Sequence, residues 1–279
     1  MNRKVLKGYS MTKNKIDESK LTGKIEKLFW NIAACSVVGT SHIQSEEPCH
    51  DSFAYKLFSD GKLIIAVSDG AGSAKRPKQG SAFIVQSSID FLIEKLKKYI
   101  PDNENDWKEL VKNTFKETRK KLVEFSESER CPLSDYAATF LLVVLTEEWT
   151  IGGLIGDSAA VILTSDEGLY SICPPQKGEY ANMTNFLTKK DALDLLCIHV
   201  KKDQARAVAA FSDGLLELAV NIVKNKPHPP FFNPLFSFIA EIQDEQEGTE
   251  HLVKFLNSER INSRTDDDKT LVLASRKRD

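Results

Sequence analysis

This 279-residue chain lacks the marks of several protein classes. Its five cysteines (Cys35, Cys49, Cys131, Cys173 and Cys197) are odd in number, widely spaced and without a C-x-x-C pair. That pattern argues against a disulfide framework and a zinc–thiolate site, and for a reducing, cytoplasmic setting. No apolar run approaches the roughly 20 residues that cross a bilayer. The N-terminal "MNRKVLKGYSMTKNKIDESK" has no apolar signal-peptide core. Neither sign of charge dominates: 38 basic and 40 acidic side chains leave −2, which gives no reason to expect nucleic acid or an anionic membrane as partner. G-x-S-x-G, H-E-x-x-H and G-x-x-x-x-G-K-[ST] are all absent. No histidine or cysteine stands at a familiar metal-ligand spacing, and there are no internal repeats.

What remains is an ordinary globular balance, 41% apolar, enough for one well-filled core. Residues 1–28 read as a polar leader with one short helix near Ile25–Trp30, and residues 29–276 as a single domain. "WNIAACSVVGTSH" reads as a first strand or two, and Leu63–Ser68 as a buried strand. Helical spacing runs over 82–100 (Ile84, Val85, Ile89, Leu92, Ile93, Leu96, Ile100), stopped by Pro101, and over 106–126. "YAATFLLVVLT", "EEWTIGGLIGDSAAVILTSDEGLYSI", "DALDLLCIHV" and "ARAVAAFSD" predict strands, with a turn at Asp166-Glu167-Gly168. "GEYANMTNFLT" predicts a loop leading into a strand, and "PHPPFFNPL" a loop of polyproline character. Helical spacing returns over 235–257, and "TLVLAS" closes the chain as a strand. Strands, two helices, more strands, helices and a strand describe antiparallel sheets with helices packed outside.

The apolar run of "KLIIAVSDGAGSAKRPKQGS" ends abruptly on Asp69, and a carboxylate at the end of a core strand is costly to bury alone. Asp157 after "WTIGGLIG", Asp213 after "AVAAFS" and Asp267 before "TLVLA" stand in the same situation, and Asp51 after "EEPCH" is a fifth candidate. Asp-Gly taken singly is an ordinary turn dipeptide. The joint occurrence at strand ends points instead to convergence. Four clustered carboxylates need positive charge, which two divalent cations supply, and oxygen-only ligands suit Mg²⁺ or Mn²⁺. A metal pair is a common device for delivering water to phosphorus.

In order, "GTSH…PCHDSF", "VSDGAGSA", "AATFLLVVL", "GDSAAVIL", "FSDGLLEL" and "DDDKTLVLA" resemble the landmarks of the metal-dependent serine/threonine protein phosphatases (PPM type, type 2C fold), in a divergent bacterial branch. The resemblance covers about residues 34–275. It implies an α+β fold, a four-layer α-β-β-α sandwich of two antiparallel sheets flanked by helices. It implies a phosphatase that hydrolyses phosphoserine and phosphothreonine in proteins, using water activated by two Mn²⁺ or Mg²⁺ ions, with a phosphoprotein as partner; a monomer is the expected working unit. Residue by residue, Asp69 would bridge the metals and the Gly70 carbonyl would bind one. Asp213 and Asp267 would hold the other. Asp51 would bind a metal or orient a metal-held water, and Asp157 with Asp213 would hold a weaker third ion.

Two departures from the family stand out. Many members have Glu or Gln before the first aspartate; here it is His50, either a hydrogen-bonding neighbour or a catalytic acid. Many have an upstream arginine that grips the phosphate, yet Gly39 to Asp51 contains no Arg or Lys. His42, or the cluster Lys75, Arg76 and Lys78, would then bind substrate, the cluster's alternative being a solvated loop. The missing cation also motivates a second reading, a catalytically weak or inactive relative that serves as a binding or sensing module.

Overall fold

A computed structural model describes residues 30–166, 168–176 and 184–277. The leader, all but the last residue of its expected helix, and the whole of "GEYANM" lie outside the described residues.

One sheet has the order β1 (Trp30–Val37), β12 (Lys269–Arg276), β9 (Ala205–Phe211), β6 (Ala159–Thr164), β7 (Leu169–Ile172). The other runs β2 (Ser52–Leu57), β3 (Leu63–Ser68), β4 (Phe140–Leu145), β5 (Thr150–Ile155), β8 (Cys197–Lys201). Every pairing in both sheets is antiparallel. Helices α2 (Pro77–Lys98) and α3 (Glu104–Ser128) cover the second sheet. Helices α5 (Pro229–Glu241) and α6 (Glu245–Leu256) cover the first. Short helices α1 (Thr40–Ser45), α4 (Leu216–Ala219) and α7 (Glu259–Asn262) and the small ribbon β10 (Val220–Asn221) with β11 (Lys226–Pro227) complete the chain. This is the expected α-β-β-α sandwich.

The layering explains why the central strands read as unbroken apolar runs. In β3, Leu63, Ile65 and Val67 face the opposite sheet, while Ile64 and Ala66 face α2 and α3. In β12, Val272 and Ala274 point inward, and Leu271 and Leu273 meet α5 and α6. A strand buried on both faces has no polar face to show.

The helices depart from expectation for local reasons. Pro77, in the first turn of α2, lets that helix begin five residues early, because its missing N–H would have had no partner there. α2 ends at Lys98, ahead of the residue whose helical conformation Pro101 disfavours. α3 starts early on Asn103, whose side chain accepts the Asp106 N–H at 3.0 Å. "PHPPFFNPL" is not a polyproline loop. Pro229 and Pro230 form the first turn of α5, where a fixed φ suits a helix as well, and burial of Phe232, Leu235, Phe236 and Ile239 at helical spacing decides the outcome. The second half of "WNIAACSVVGTSH" is likewise no strand. It lacks an apolar alternation, and Thr40–Ser45 forms α1, pinned by Ser41 N–H and hydroxyl to the Asp266 carbonyl.

Candidate metal centre

Strand register brings the acids to one end of the sandwich. Ser52 stands opposite Ser68, so the flanking residues Asp51 and Asp69 are neighbours. In the other sheet Phe211 stands opposite both Leu271 and Ala159. The end of β9, which continues through Ser212 to Asp213, therefore lies beside the start of β12 and beside Asp157. Oxygens of Asp69, Asp157 and Asp213 lie within 4.8 Å of one another. Asp157, Asp213 and Asp267 line one cavity of about 440 Å³ together with Thr184, Gly214 and Arg264.

Backbone contacts hold these side chains. Asp69 N–H donates to Thr139 Oγ1 at 2.9 Å, and Thr139 N–H donates back to the Asp69 carbonyl at 2.8 Å. Gly70 pairs with Ala138, and a Cβ at Gly70 would lie 2.7 Å from the Pro77 backbone. Gly156, at φ +119°, permits the turn that delivers Asp157. Thr184 Oγ1 donates to Asp157 Oδ2 at 2.6 Å. Asp51 is 1% exposed, and its Oδ2 accepts the Ser212 hydroxyl at 2.6 Å. Ser212 Oγ in turn accepts the Thr270 N–H at 2.9 Å, so one chain of hydrogen bonds ties Asp51 on one sheet to β12 on the other.

Packed this way, the carboxyls resist ionisation. Burial and then Asp213, Asp51, Asp157 and Asp267 push Asp69 well above the usual carboxylate range. Asp213 is raised in the same way by burial and then by Asp157, Asp267 and Asp51. Asp51 is pushed up to about 6 by burial, against the pull of its Ser212 and Thr270 hydrogen bonds. Asp157 and Asp267 are raised by burial too, each partly offset by a hydrogen bond. Asp267 nevertheless opens to solvent on one side. At these separations a pair of like charges repels by on the order of 3 kcal/mol in a partly screened site.

The donor set fits hard divalent cations. It consists of oxygen alone, and two buried oxygens, Asp51 Oδ1 and Asp157 Oδ1, have no hydrogen-bond partner. Bare carboxylate oxygens in such a place are costly unless a cation meets them.

The other expected residues are held as follows. His50 follows Cys49 into the same end, its backbone N–H donating to Asp268 Oδ2 at 2.5 Å. Burial and neighbouring His42 push its imidazole below the usual histidine range. His42 Nδ1 lies 3.0 Å from Asp268 Oδ2, near enough for an ion pair but out of line for a hydrogen bond. Arg76 turns to Glu129 and over the ring of Tyr136, and Lys75 is exposed. Lys78 Nζ donates to the Asp51 carbonyl at 2.6 Å.

Sequence reasoning missed four neighbours. Asp268, buried, accepts N–H groups from Gly39 at 2.7 Å and from His50, and thereby anchors the segment carrying Asp51. Ser212 links the sheets. Lys269 is fully buried, its ammonium 3.0 Å from Asn262 Oδ1 and 3.4 Å from the Asp267 carbonyl. Burial lowers its pKa, while Asp268 and Asp267 pull the other way. Arg264 is the one basic residue that lines the carboxylate cavity among the described residues. The run "RTDDDK" signals this density of charge without saying which acid points where.

Residues 38–257 match the family model described as Protein phosphatase 2C. The chain belongs to the protein phosphatase 2C family. It is 36% identical over 254 residues to serine/threonine-protein phosphatase 3 of Escherichia coli (strain K12), covering 88% of this chain and 98% of that protein. The fold is similar to that of serine/threonine phosphatase Stp1 from Staphylococcus aureus, with TM-score 0.61, 14% identity and coverage of 91% of this chain and 99% of that one. A bacterial serine phosphatase superposes with TM-score 0.62 at 13% identity, covering 89% and 98%. Membership in the protein phosphatase 2C family makes this chain a metal-dependent protein phosphatase. No helix among the described residues is long and apolar enough to cross a membrane.

Proposed function

We propose that residues 29–276 form one phosphatase domain that hydrolyses phosphoserine and phosphothreonine in cytoplasmic phosphoproteins, acting as a monomer. The observation that carries this reading is the convergence of Asp69, Asp157 and Asp213, from both sheets, within 4.8 Å. Asp69, the Gly70 carbonyl and Asp51 would serve one Mg²⁺ or Mn²⁺ ion. Asp69, Asp213 and Asp267 would serve a second, and Asp157 with Asp213 a weaker third. When bound, such ions supply an acidified water and offset the charge of the phosphoryl oxygens.

The chain's own residues do the positioning. Ser212 holds the Asp51 carboxylate by one oxygen and leaves the other free. Thr139 clamps both sides of the Asp69 peptide, fixing where that side chain emerges. Arg264 stands where the carboxylate cavity meets a second cavity of about 690 Å³, since it lines both. From there its guanidinium would meet a phosphate in the first cavity or the peptide beside it in the second, the task that the missing upstream arginine leaves open.

The test is hydrolysis of a phosphoserine peptide with Mn²⁺, alongside calorimetric metal titration. Turnover that disappears with chelator and in Asp69→Asn supports the reading. Metal binding without turnover on any phosphopeptide would favour the binding or sensing module instead.

A further inference from the structure

A few residues before Asp51 the chain gathers donors of another kind. We infer that His42, Glu47 and His50 form a binding site for a divalent transition ion of the zinc type, distinct from the carboxylate centre. One donor atom from each lies within 4.8 Å of the others. The Nε2 atoms of His42 and His50 both converge on one oxygen, Glu47 Oε2, at 3.9 and 3.4 Å. Neither distance falls in the roughly 2.7–3.2 Å range of an N–H···O hydrogen bond. Ligands about 2.0–2.1 Å from a tetrahedral ion stand roughly 3.3 Å apart, which the His50–Glu47 separation of 3.4 Å matches, while His42 at 3.9 Å would have to close in. Two imidazoles and a carboxylate suit zinc and its neighbours rather than Mg²⁺, and three protein ligands leave a fourth position open.

The surroundings support the assignment independently. His42 Nδ1 is backed by the Asp268 carboxylate at 3.0 Å, and Asp268 is itself pinned by the Gly39 and His50 N–H groups. A carboxylate behind one imidazole nitrogen is the usual partner of a metal-ligating histidine, and Asp268 stands at that distance although out of line for a hydrogen bond. The His50 side chain is only 8% exposed, and its Nδ1 is buried with no partner. Its ring packs on that of His42, with centroids 4.3 Å apart. Glu47 closes the group from the solvent side, its own N–H bound to the His42 carbonyl at 2.9 Å. All three residues thus belong to one short segment that leads directly into Asp51, and an ion there would stiffen it.

The full-length protein, held in excess Mg²⁺ to fill the carboxylate centre, is titrated with Zn²⁺ and separately with Co²⁺. The wild type should take up one Zn²⁺ that Mg²⁺ does not displace, and Co²⁺ should give the intense visible bands of a four-coordinate site. His42→Ala and Glu47→Gln, at less buried positions than His50, should weaken Zn²⁺ uptake by more than the roughly 10–100-fold that loss of an outer partner costs. Unchanged metal-free circular dichroism and melting temperature show that each variant is folded. Asp213→Asn should keep the Zn²⁺. No Zn²⁺ uptake by the wild type in Mg²⁺, full retention in both His42→Ala and Glu47→Gln, or loss in Asp213→Asn would overturn the assignment. Because the readout is zinc and not turnover, its failure leaves the phosphatase reading untouched.

Discussion

Five carboxylates from the ends of distant strands gather at one end of the sandwich; two imidazoles and one carboxylate from a nine-residue segment gather beside them. The first exists only when both sheets have registered, because Asp51 and Asp69 come from one sheet and Asp213 and Asp267 from the other. The second is local, set by α1 and the turn after it. The first gathers like charges that repel. The second sets two imidazoles beside a single carboxylate. In the first, mutual repulsion adds to the ordinary coupling between metal occupancy and folding stability, and the predictions below press on that contrast.

The largest effect should come from Asp69→Asn or Asp213→Asn. Several kcal/mol of transition-state stabilisation corresponds to roughly a thousandfold in rate, so phosphopeptide turnover in saturating Mn²⁺ should fall by about that much. Far-UV circular dichroism should stay native. In chelator, the variants should melt at or above the wild-type temperature, because each removes one repelling charge.

The next effect is on pH. Folding lifts the Asp51 carboxyl from 3.8 to about 6, so the folded state binds its proton more tightly than the unfolded chain does. In the metal-free protein this contribution is fully present below about pH 4 and is lost as pH rises through about 6, roughly 3 kcal/mol in all. Melting temperatures in chelator should drop over that window relative to those in Mn²⁺, where cations hold the carboxylates ionised. A gap that does not widen with pH would show that the cluster stores no such strain.

Ser212→Ala should follow, at about 1–3 kcal/mol of stability, since it takes the hydroxyl from the Asp51 carboxylate and strands the Thr270 N–H in a buried place. Urea denaturation measures it, and Mn²⁺ affinity should fall alongside. The smallest effect belongs to Arg264→Ala. The side chain is exposed, so its charge is screened. The Michaelis constant for a phosphopeptide should rise by about tenfold or less, with turnover number little changed.

The contrast between the two clusters also explains what the sequence revealed. Leu63–Ser68 was readable to the residue because a strand buried on both faces shows six apolar or small residues in a row and then must stop at its acid. Asp69, Asp157, Asp213, Asp267 and Asp51 were readable because each interrupts or borders such a run. Asp268 was not: in "TDDDK" the register of β12 alone decides that Asp267 opens to the cavity while Asp268 turns inward to Gly39 and His50. The His42–Glu47–His50 group was missed because its spacing is neither helical nor strand-like. It depends on α1 ending at Glu46 in the left-handed region, φ 58°, which swings Glu47 back over His42. The prolines of α5 misled for a related reason, since a fixed φ serves a helix start and an extended loop alike.

A crystal structure grown in Mn²⁺, with ions located by anomalous scattering, addresses the central claim most directly. Two manganese peaks flanking the Asp69 carboxylate, with Asp213 and Asp267 on one of them, are the result this account predicts. Well-ordered aspartates with no anomalous peak between them, in protein that hydrolyses phosphoserine under the same conditions, would contradict it.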